Sequence, residues 1–569
     1  MRHSHRNGPG RHWAWAWPLA VGCGMALGAS GARAATTCSV GGIEALGVDG
    51  VTIVSAATVP ASGATPAYCG VVGQLNTRGG GAPPGSAGFE LRFPDNWNGK
   101  FLFFGVGGLA GSTYAGVSVN PVDRQGALAQ GYATAITDTG HLGGGTDASW
   151  ALLAPGKPNK AKLADYYFRA THQVTAAGKQ LTQGFYGRAV EAAYFDGCSN
   201  GGRQALVEAA RFPGDYDGII AGDPFFDIRS IIGAARIAKQ QLSPAAYLPA
   251  PLLPTMDAAV NAGCAKTDGV DDGLIQNPAA CSFDPYSLVC KPGQEAGCLS
   301  TGQADTLHAY FTATRNLFGS LVYPGFSVSN LAGGADVWTT GLVPPADFDA
   351  AEPWGNAGFS PSPVGYQFGD HIIQDIVTQD PTFNIRDYPV SADGTIDDGA
   401  LETFDARTGA GTATVPESYR RFIRRGGKLI IYHGYSDPAL TPFRTTALYD
   451  QLAAAHGGYG ALGASVRLFM VPGMQHCVGG PGPNVFDTLT PLDAWVQGSA
   501  APDSIPAAHY VNNDPAQPVD RTMPLCPYPT QATYDGTGDV NAAASWSCAP
   551  NQKLLQVGPN GAQAGLVEQ

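Results

Sequence analysis

The chain has 569 residues, 44% of them hydrophobic and 14% charged, and a formal net charge of −13. It is too long for a single compact core, and its composition is that of a folded globular protein rather than a disordered one. An acidic balance with no Lys/Arg cluster excludes a nucleic-acid-binding surface and an electrostatic attachment to membranes.

Residues 1–34 read as a signal peptide. Arg2, Arg6 and Arg11 give a cationic start, Trp13 to Ala29 is apolar, and Ala32-Arg33-Ala34 is a small-residue cleavage signal. A retained membrane anchor is the alternative, which the short, small-residue-rich run suits less well. No other stretch is long and apolar enough to span a bilayer, so a secreted or periplasmic protein is expected. The sequence holds no N-x-Ser/Thr acceptor, which favours a bacterial source.

Export permits disulfides. Of the 11 cysteines, Cys23 leaves with the signal and an even number remains. Local pairing would join Cys38 with Cys69, Cys264 with Cys281, Cys290 with Cys298, and Cys526 with Cys548. Cys198 and Cys477 are then left over.

Taken in order, Cys38 to Cys69 suggests a β-rich cap of short apolar runs. Phe89 to Pro94 alternates like an edge strand closed by proline. Lys100 to Phe104 is almost wholly apolar, as a buried strand is, and it empties into the glycine-rich loop Gly105 to Gly111. Tyr132 to Thr137 is the next strand, and residues 160–184 have helical spacing. Ala192 to Leu206 then carries Gly197-Cys198-Ser199-Asn200-Gly201 between a strand-like and a helix-like run, with the helix over Asn200 to Arg211. A G-x-S-x-G in that setting is what a nucleophile elbow needs, although in a chain with 77 glycines the motif alone is weak. Tyr216 to Ile220 is a further strand, ending at Gly222-Asp223-Pro224.

Strands alternating with helices at this pitch predict a mostly parallel α/β sheet. From about Phe225 to Val415 the alternation is lost, and this stretch reads as an insertion over the carboxyl edge of the sheet, where ligands bind in open α/β folds. The pattern returns with a strand ending at Tyr432, a helix over about 442–456, a strand from Val466 to Val471 and a helix near Pro491 to Gln497. The expected organisation is therefore a catalytic α/β domain in two parts, 35–224 and 416–569, with a lid domain at 225–415.

Two loops follow strands where the partners of a serine nucleophile belong. His433-Gly434-Tyr435-Ser436-Asp437-Pro438 follows one, and Pro472-Gly473-Met474-Gln475-His476-Cys477 follows the other. The order Ser199, Asp437, His476 is the one α/β-hydrolases use. A neutral imidazole must take the proton of a serine hydroxyl, and a carboxylate behind it fixes its tautomer. Asp437 could instead be an Asx-turn residue before Pro438, His476 a surface histidine, and His433 a rival for the base. The backbone N–H groups of Asn200 and of Gly107 or Gly108 are the candidate oxyanion donors. If Ser199 and His476 touch, Cys198 and Cys477 fall within disulfide reach; two free buried thiols are the alternative.

Cys198-Ser199, Asp437 and His476-Cys477 together resemble the tannase/feruloyl esterase family of α/β-hydrolases. The resemblance extends over the glycine loop 105–111, the insertion, and the C-terminal Cys526-Pro527-Tyr528-Pro529 and Trp546-Ser547-Cys548. It implies an α/β-hydrolase fold with a large inserted lid, a Cys198–Cys477 bridge, and hydrolysis of small aromatic esters of the galloyl or feruloyl type or of a terephthalate monoester. It implies no organic cofactor. In the insertion, Cys264 to Ile275 packs three carboxylates and two glycines into a tight turn, as hard oxygen ligands for Ca²⁺ would be arranged. By resemblance the ligands would be the Asp268 and Asp272 side chains with the Val270 and Leu274 carbonyls, but Ala265 stands where the family has a further Asp. A solvated Asp-Gly turn stapled by Cys264–Cys281 is the other reading.

Trp338, Trp354 and Phe368 could sandwich a substrate ring or could form the insertion's own core. The Trp354 to Phe368 segment holds no arginine to clamp a terephthalate carboxylate. A peptidase or lipase on the same machinery and a catalytically silent binding module are the remaining readings.

Overall fold

Short apolar runs separated by helical segments assemble into one mixed sheet of nine strands among the described residues, which in this computed structural model are 36–114, 121–241, 245–266, 269–334 and 363–550. In chain order the strands are β1 (Val51–Val59), β2 (Tyr68–Thr77), β3 (Gly85–Pro94), β4 (Lys100–Phe104), β5 (Ala133–Thr137), β6 (Ala192–Cys198), β7 (Gly218–Gly222), β8 (Lys428–Gly434) and β9 (Val466–Val471). Their order across the sheet is β1-β2-β3-β5-β4-β6-β7-β8-β9. From β5 to β9 every pairing is parallel; β1, β2 and β3 are antiparallel and join through β3 to β5.

Burial follows the pairing. Every residue of β6 and β7 is buried, as expected of parallel strands covered on both faces, whereas β2 alternates buried and exposed positions with one face wet. Two expectations change here. The Cys38–Cys69 region is not a separate cap: β1 and β2 are a hairpin that lengthens the main sheet. Phe89 to Pro94 is not an edge strand either, because β3 is paired on both sides, with β2 and β5. Alternation reports one wet face, not a free edge, and Pro94 is tolerated because it is the last residue of the strand.

Helix α1 (Ala170–Tyr186) precedes β6, and α2 (Asn200–Arg211) follows it directly. Beyond β7 lie α3 (Ser230–Gln240), α4 (Leu253–Cys264), α5 (Thr301–Phe311), α6 (Val364–His371) and α7 (Asp398–Thr408). Part of this segment has a core of its own, in which Met256, Val260, Leu307, Phe311 and Tyr323 are buried and Tyr310 stacks on Phe326 with ring centroids 4.7 Å apart. Between β8 and β9 runs α8 (Pro442–Ala455), and α9 (Leu489–Val496) packs back under the sheet. The cysteines pair as the sequence suggested: 38 with 69, 198 with 477, 264 with 281, 290 with 298 and 526 with 548. No described helix is long and apolar enough to cross a membrane.

Candidate active site

Ser199 sits alone between β6 and α2 with φ 63° and ψ −125°, a backbone conformation that residues with side chains rarely occupy. Three hydrogen bonds hold it there. Its N–H donates to the Gly222 carbonyl at 2.9 Å, and its own carbonyl accepts from Arg203 at 2.9 Å and Phe225 at 3.0 Å. The surrounding glycines are required by space: a Cβ on Gly197 or on Gly105 would come within 2.6 Å of the Gly201 backbone. Strand end, glycine loop and helix therefore meet with no room for a side chain, and the serine is left as the projecting group.

Asp437 and His476 come from the loops after β8 and β9. The Nδ1 of His476 lies 2.7 Å from Oδ2 of Asp437. The other oxygen of Asp437, Oδ1, accepts from the Ala439 and Leu440 N–H groups at 2.7 and 2.9 Å, so this Asp makes turn contacts and holds an imidazole together. Burial works to raise the Asp437 pKa, but the imidazoles of His476 and His433 outweigh it and hold the carboxyl well below the usual range. For His476 burial works downward, and Asp437, with a smaller contribution from Asp223, lifts it above its ordinary 6.5. His433, the rival for the base, has both nitrogens engaged inside the protein. Its Nε2 lies 3.2 Å from the Leu440 carbonyl, which can only accept, so Nε2 carries the proton; Nδ1 takes the Thr445 hydroxyl at 2.7 Å. That imidazole is 1% exposed and supports Asp437 from 3.2 Å.

The Cys198–Cys477 bridge, with Cα atoms 6.0 Å apart, ties the residue before Ser199 to the residue after His476. The glycine loop is locked onto the elbow as well. Asn200 Nδ2 donates to the Val106 carbonyl at 2.8 Å while its Oδ1 accepts from Arg203 at 2.7 Å, and Gln204 bonds both peptide groups of Val106. Gly108 adopts φ 57°, where a side chain would collide with the Gly145 carbonyl. Of the candidate oxyanion donors, Asn200 and Gly108 reach the cavity described next; Gly107 does not line it.

That cavity, with about 460 Å³ of empty space counting its open mouth, has Ser199 and His476 on its floor. Phe225, Ile231, Ala234, Phe368 and Leu440 make its walls, and no Lys or Arg is among the described residues that line it. Phe368 is thus the one of the three aromatics placed here; Trp338 and Trp354 lie outside the described residues.

The loop 264–275 gives a different result. Asp268 and residues 1–34, where a signal peptide is expected, lie outside the described residues. Asp272 is already engaged: its Oδ2 meets Arg521 Nη1 at 3.2 Å, and its main-chain oxygen accepts from Nη2 at 2.8 Å. Its Oδ1 accepts the Leu274 N–H at 3.1 Å, and Asp271 faces solvent beside Lys266. Ala265 is buried, Val270 and Leu274 are buried, and the described groups of His, Cys, Asp and Glu close enough to share a metal lie elsewhere. Among the described residues, the one expected carboxylate ligand is thus paired with a guanidinium rather than left open to a divalent cation.

Sequence reasoning missed Asp223. It follows β7 as the middle of Gly-Asp-Pro, a pattern that reads equally as a turn, and its only signal was its place at a strand end beside the elbow.

The family model for tannase and feruloyl esterase matches residues 69–549. The mono(2-hydroxyethyl) terephthalate hydrolase of Piscinibacter sakaiensis is 33% identical over 535 residues, covering 87% of each chain. A probable feruloyl esterase B-2 of Aspergillus flavus is 29% identical, covering 78% of this chain and 81% of its own. The crystal structure of feruloyl esterase B from Aspergillus oryzae superposes with a TM-score of 0.73 at 22% identity, over 88% of this chain and 97% of that one, which establishes the shared fold. With that match across most of its length, the chain belongs to the tannase and feruloyl esterase family and is a carboxylic ester hydrolase of the α/β-hydrolase fold.

Proposed function

We propose that this chain is an exported serine esterase acting on small aromatic carboxylic esters. Ser199 attacks the ester carbonyl. With Nδ1 of His476 tied to Asp437, Nε2 is the nitrogen that takes the serine proton and returns it to the departing alcohol, and buried Asp437 steadies the imidazolium. The Asn200 and Gly108 N–H groups face the developing oxyanion, the former as one of the N–H groups at a helix start that lack an intrahelical acceptor. Water activated by His476 then clears the acyl-enzyme. The observation that carries this reading is a strained serine and a carboxylate-bound imidazole lining one cavity.

The aromatic acyl group rests on the apolar walls, with Phe225 and Phe368 among them. A neutral ring is favoured over a terephthalate monoester, since no Lys or Arg is among the described residues lining the cavity and residues 335–362 contain none. Export is supported by the cationic and apolar start of the chain and by five disulfides. Calcium in the 264–275 loop is left out of this reading because Arg521 holds Asp272. The test is turnover of methyl ferulate, methyl gallate and a terephthalate monoester by the native protein and by Ser199→Ala. The proposal expects the first two to be preferred and the variant to be inert; turnover of none of them, with substrate-analogue binding intact, would point to a silent binding module.

A further inference from the structure

Asp223 is fully buried just past β7, and its two carboxylate oxygens are shared between two loops. Oδ1 accepts the N–H of Gly434, at the end of β8, at 2.8 Å and lies 3.5 Å from His433 Nε2. Oδ2 accepts the N–H of Cys477 at 3.2 Å. The Asp223 N–H in turn donates to the Tyr432 carbonyl at 2.9 Å. One side chain thus joins three neighbouring loops at the sheet edge: its own, the acid loop and the base loop.

The bond to Cys477 is the informative one. Its N–H belongs to the peptide group that joins it to His476, so fixing that N–H fixes the backbone plane from which the imidazole springs. Cys477 itself adopts φ 66°, a left-handed conformation that a non-glycine residue keeps only when its surroundings hold it. Two things hold it: the covalent link to Cys198 and the Asp223 carboxylate. We infer that Asp223 is a positioning residue of the esterase reaction, which keeps His476 aimed at Ser199 through the Cys477 N–H and places a second carboxylate behind the imidazole. This rests on the Ser199–His476–Asp437 reading above.

The electrostatics give the sign of its effect. Asp437 and Asp223 are the carboxylates set around His476; Asp223 itself faces His433, Asp437 and His476. Burial pushes the Asp223 carboxyl up to about 7, against the pull of the His433 and His476 imidazoles. A negative neighbour raises the proton affinity of His476. Removing it must therefore move the acidic limb of the rate profile to lower pH.

Asp223→Asn removes the charge at nearly constant volume and offers one acceptor where two N–H groups need one each. In this variant kcat on an aryl ester falls about tenfold, roughly the effect of losing one hydrogen bond to a charged acceptor. KM stays near the native value, and the acidic limb of kcat/KM shifts to lower pH. A merely structural residue would not move that limb. If the asparagine variant does not fold, Asp223→Ser, which removes the charge with less bulk, should show the same shift. Native kcat with an unmoved limb, or lost kcat with an unmoved limb, would overturn the assignment. Ser199→Ala is run alongside: if it keeps turnover, the esterase reading fails, and if it is inert while the Asp223 variants behave as native, only the Asp223 role fails.

Discussion

The carboxyl edge of the parallel sheet and the 225–415 segment that meets it are held by different forces. At the edge each reactive group is fixed by several directional contacts: Ser199 by three backbone hydrogen bonds, Asp437 by two N–H groups and two imidazoles, His476 by Asp437 and by its neighbour's disulfide. The segment's described residues contribute mainly apolar groups to the cavity, through Ile231, Ala234 and Phe368 on α3 and α6. Directional contacts set geometry to fractions of an ångström, whereas apolar contacts supply area and tolerate repacking. Chemistry should therefore be sensitive to substitution at the edge, and substrate choice should be tunable on the segment.

The largest effect is expected at the proposed nucleophile. Ser199→Ala should lower kcat/KM by roughly 10⁴- to 10⁶-fold with the fold intact, measured by ester turnover and circular dichroism. Asp437→Asn should follow at about 10⁴-fold in kcat, because an amide favours the wrong imidazole tautomer. Replacing Cys198 and Cys477 by serine opens a link across a sequence separation of 279 and should reduce stability by up to about 5 kcal/mol, read from denaturant unfolding. On the segment the effect should be smaller and of another kind. Phe368→Ala should raise KM about tenfold, in line with roughly 1.5–3 kcal/mol for an aromatic contact, and leave kcat nearly unchanged. Smallest of all, chelation should leave Tm unaltered; a Tm rise on adding Ca²⁺ would mean that the cation displaces Arg521 from Asp272.

The two regions also differed in how far they could be read from the chain. The edge announces itself locally: a glycine-flanked serine after an apolar run, and histidine and aspartate just past other apolar runs, each with a cysteine or proline neighbour. Their meeting follows because parallel strands present their loops at one edge. Asp223 escaped because its partners, Gly434 and Cys477, are far off in sequence and Gly-Asp-Pro is also ordinary turn chemistry. Choosing Gly108 over Gly107 needed the shape of the cavity, which spacing does not encode. In the segment the carboxylate pattern of 264–275 suggested a cationic partner, and the one the described residues show for Asp272 is a guanidinium. It belongs to Arg521, which lies 249 residues from Asp272, and no local pattern links them.

Labelling with a fluorophosphonate, followed by peptide mass mapping, tests whether Ser199 is the group that attacks the ester. The account predicts one adduct, on Ser199, formed faster as pH rises through the His476 titration, and lost in Ser199→Ala. An adduct on another residue, or an unlabelled Ser199 in a folded protein that still turns over esters, would contradict it.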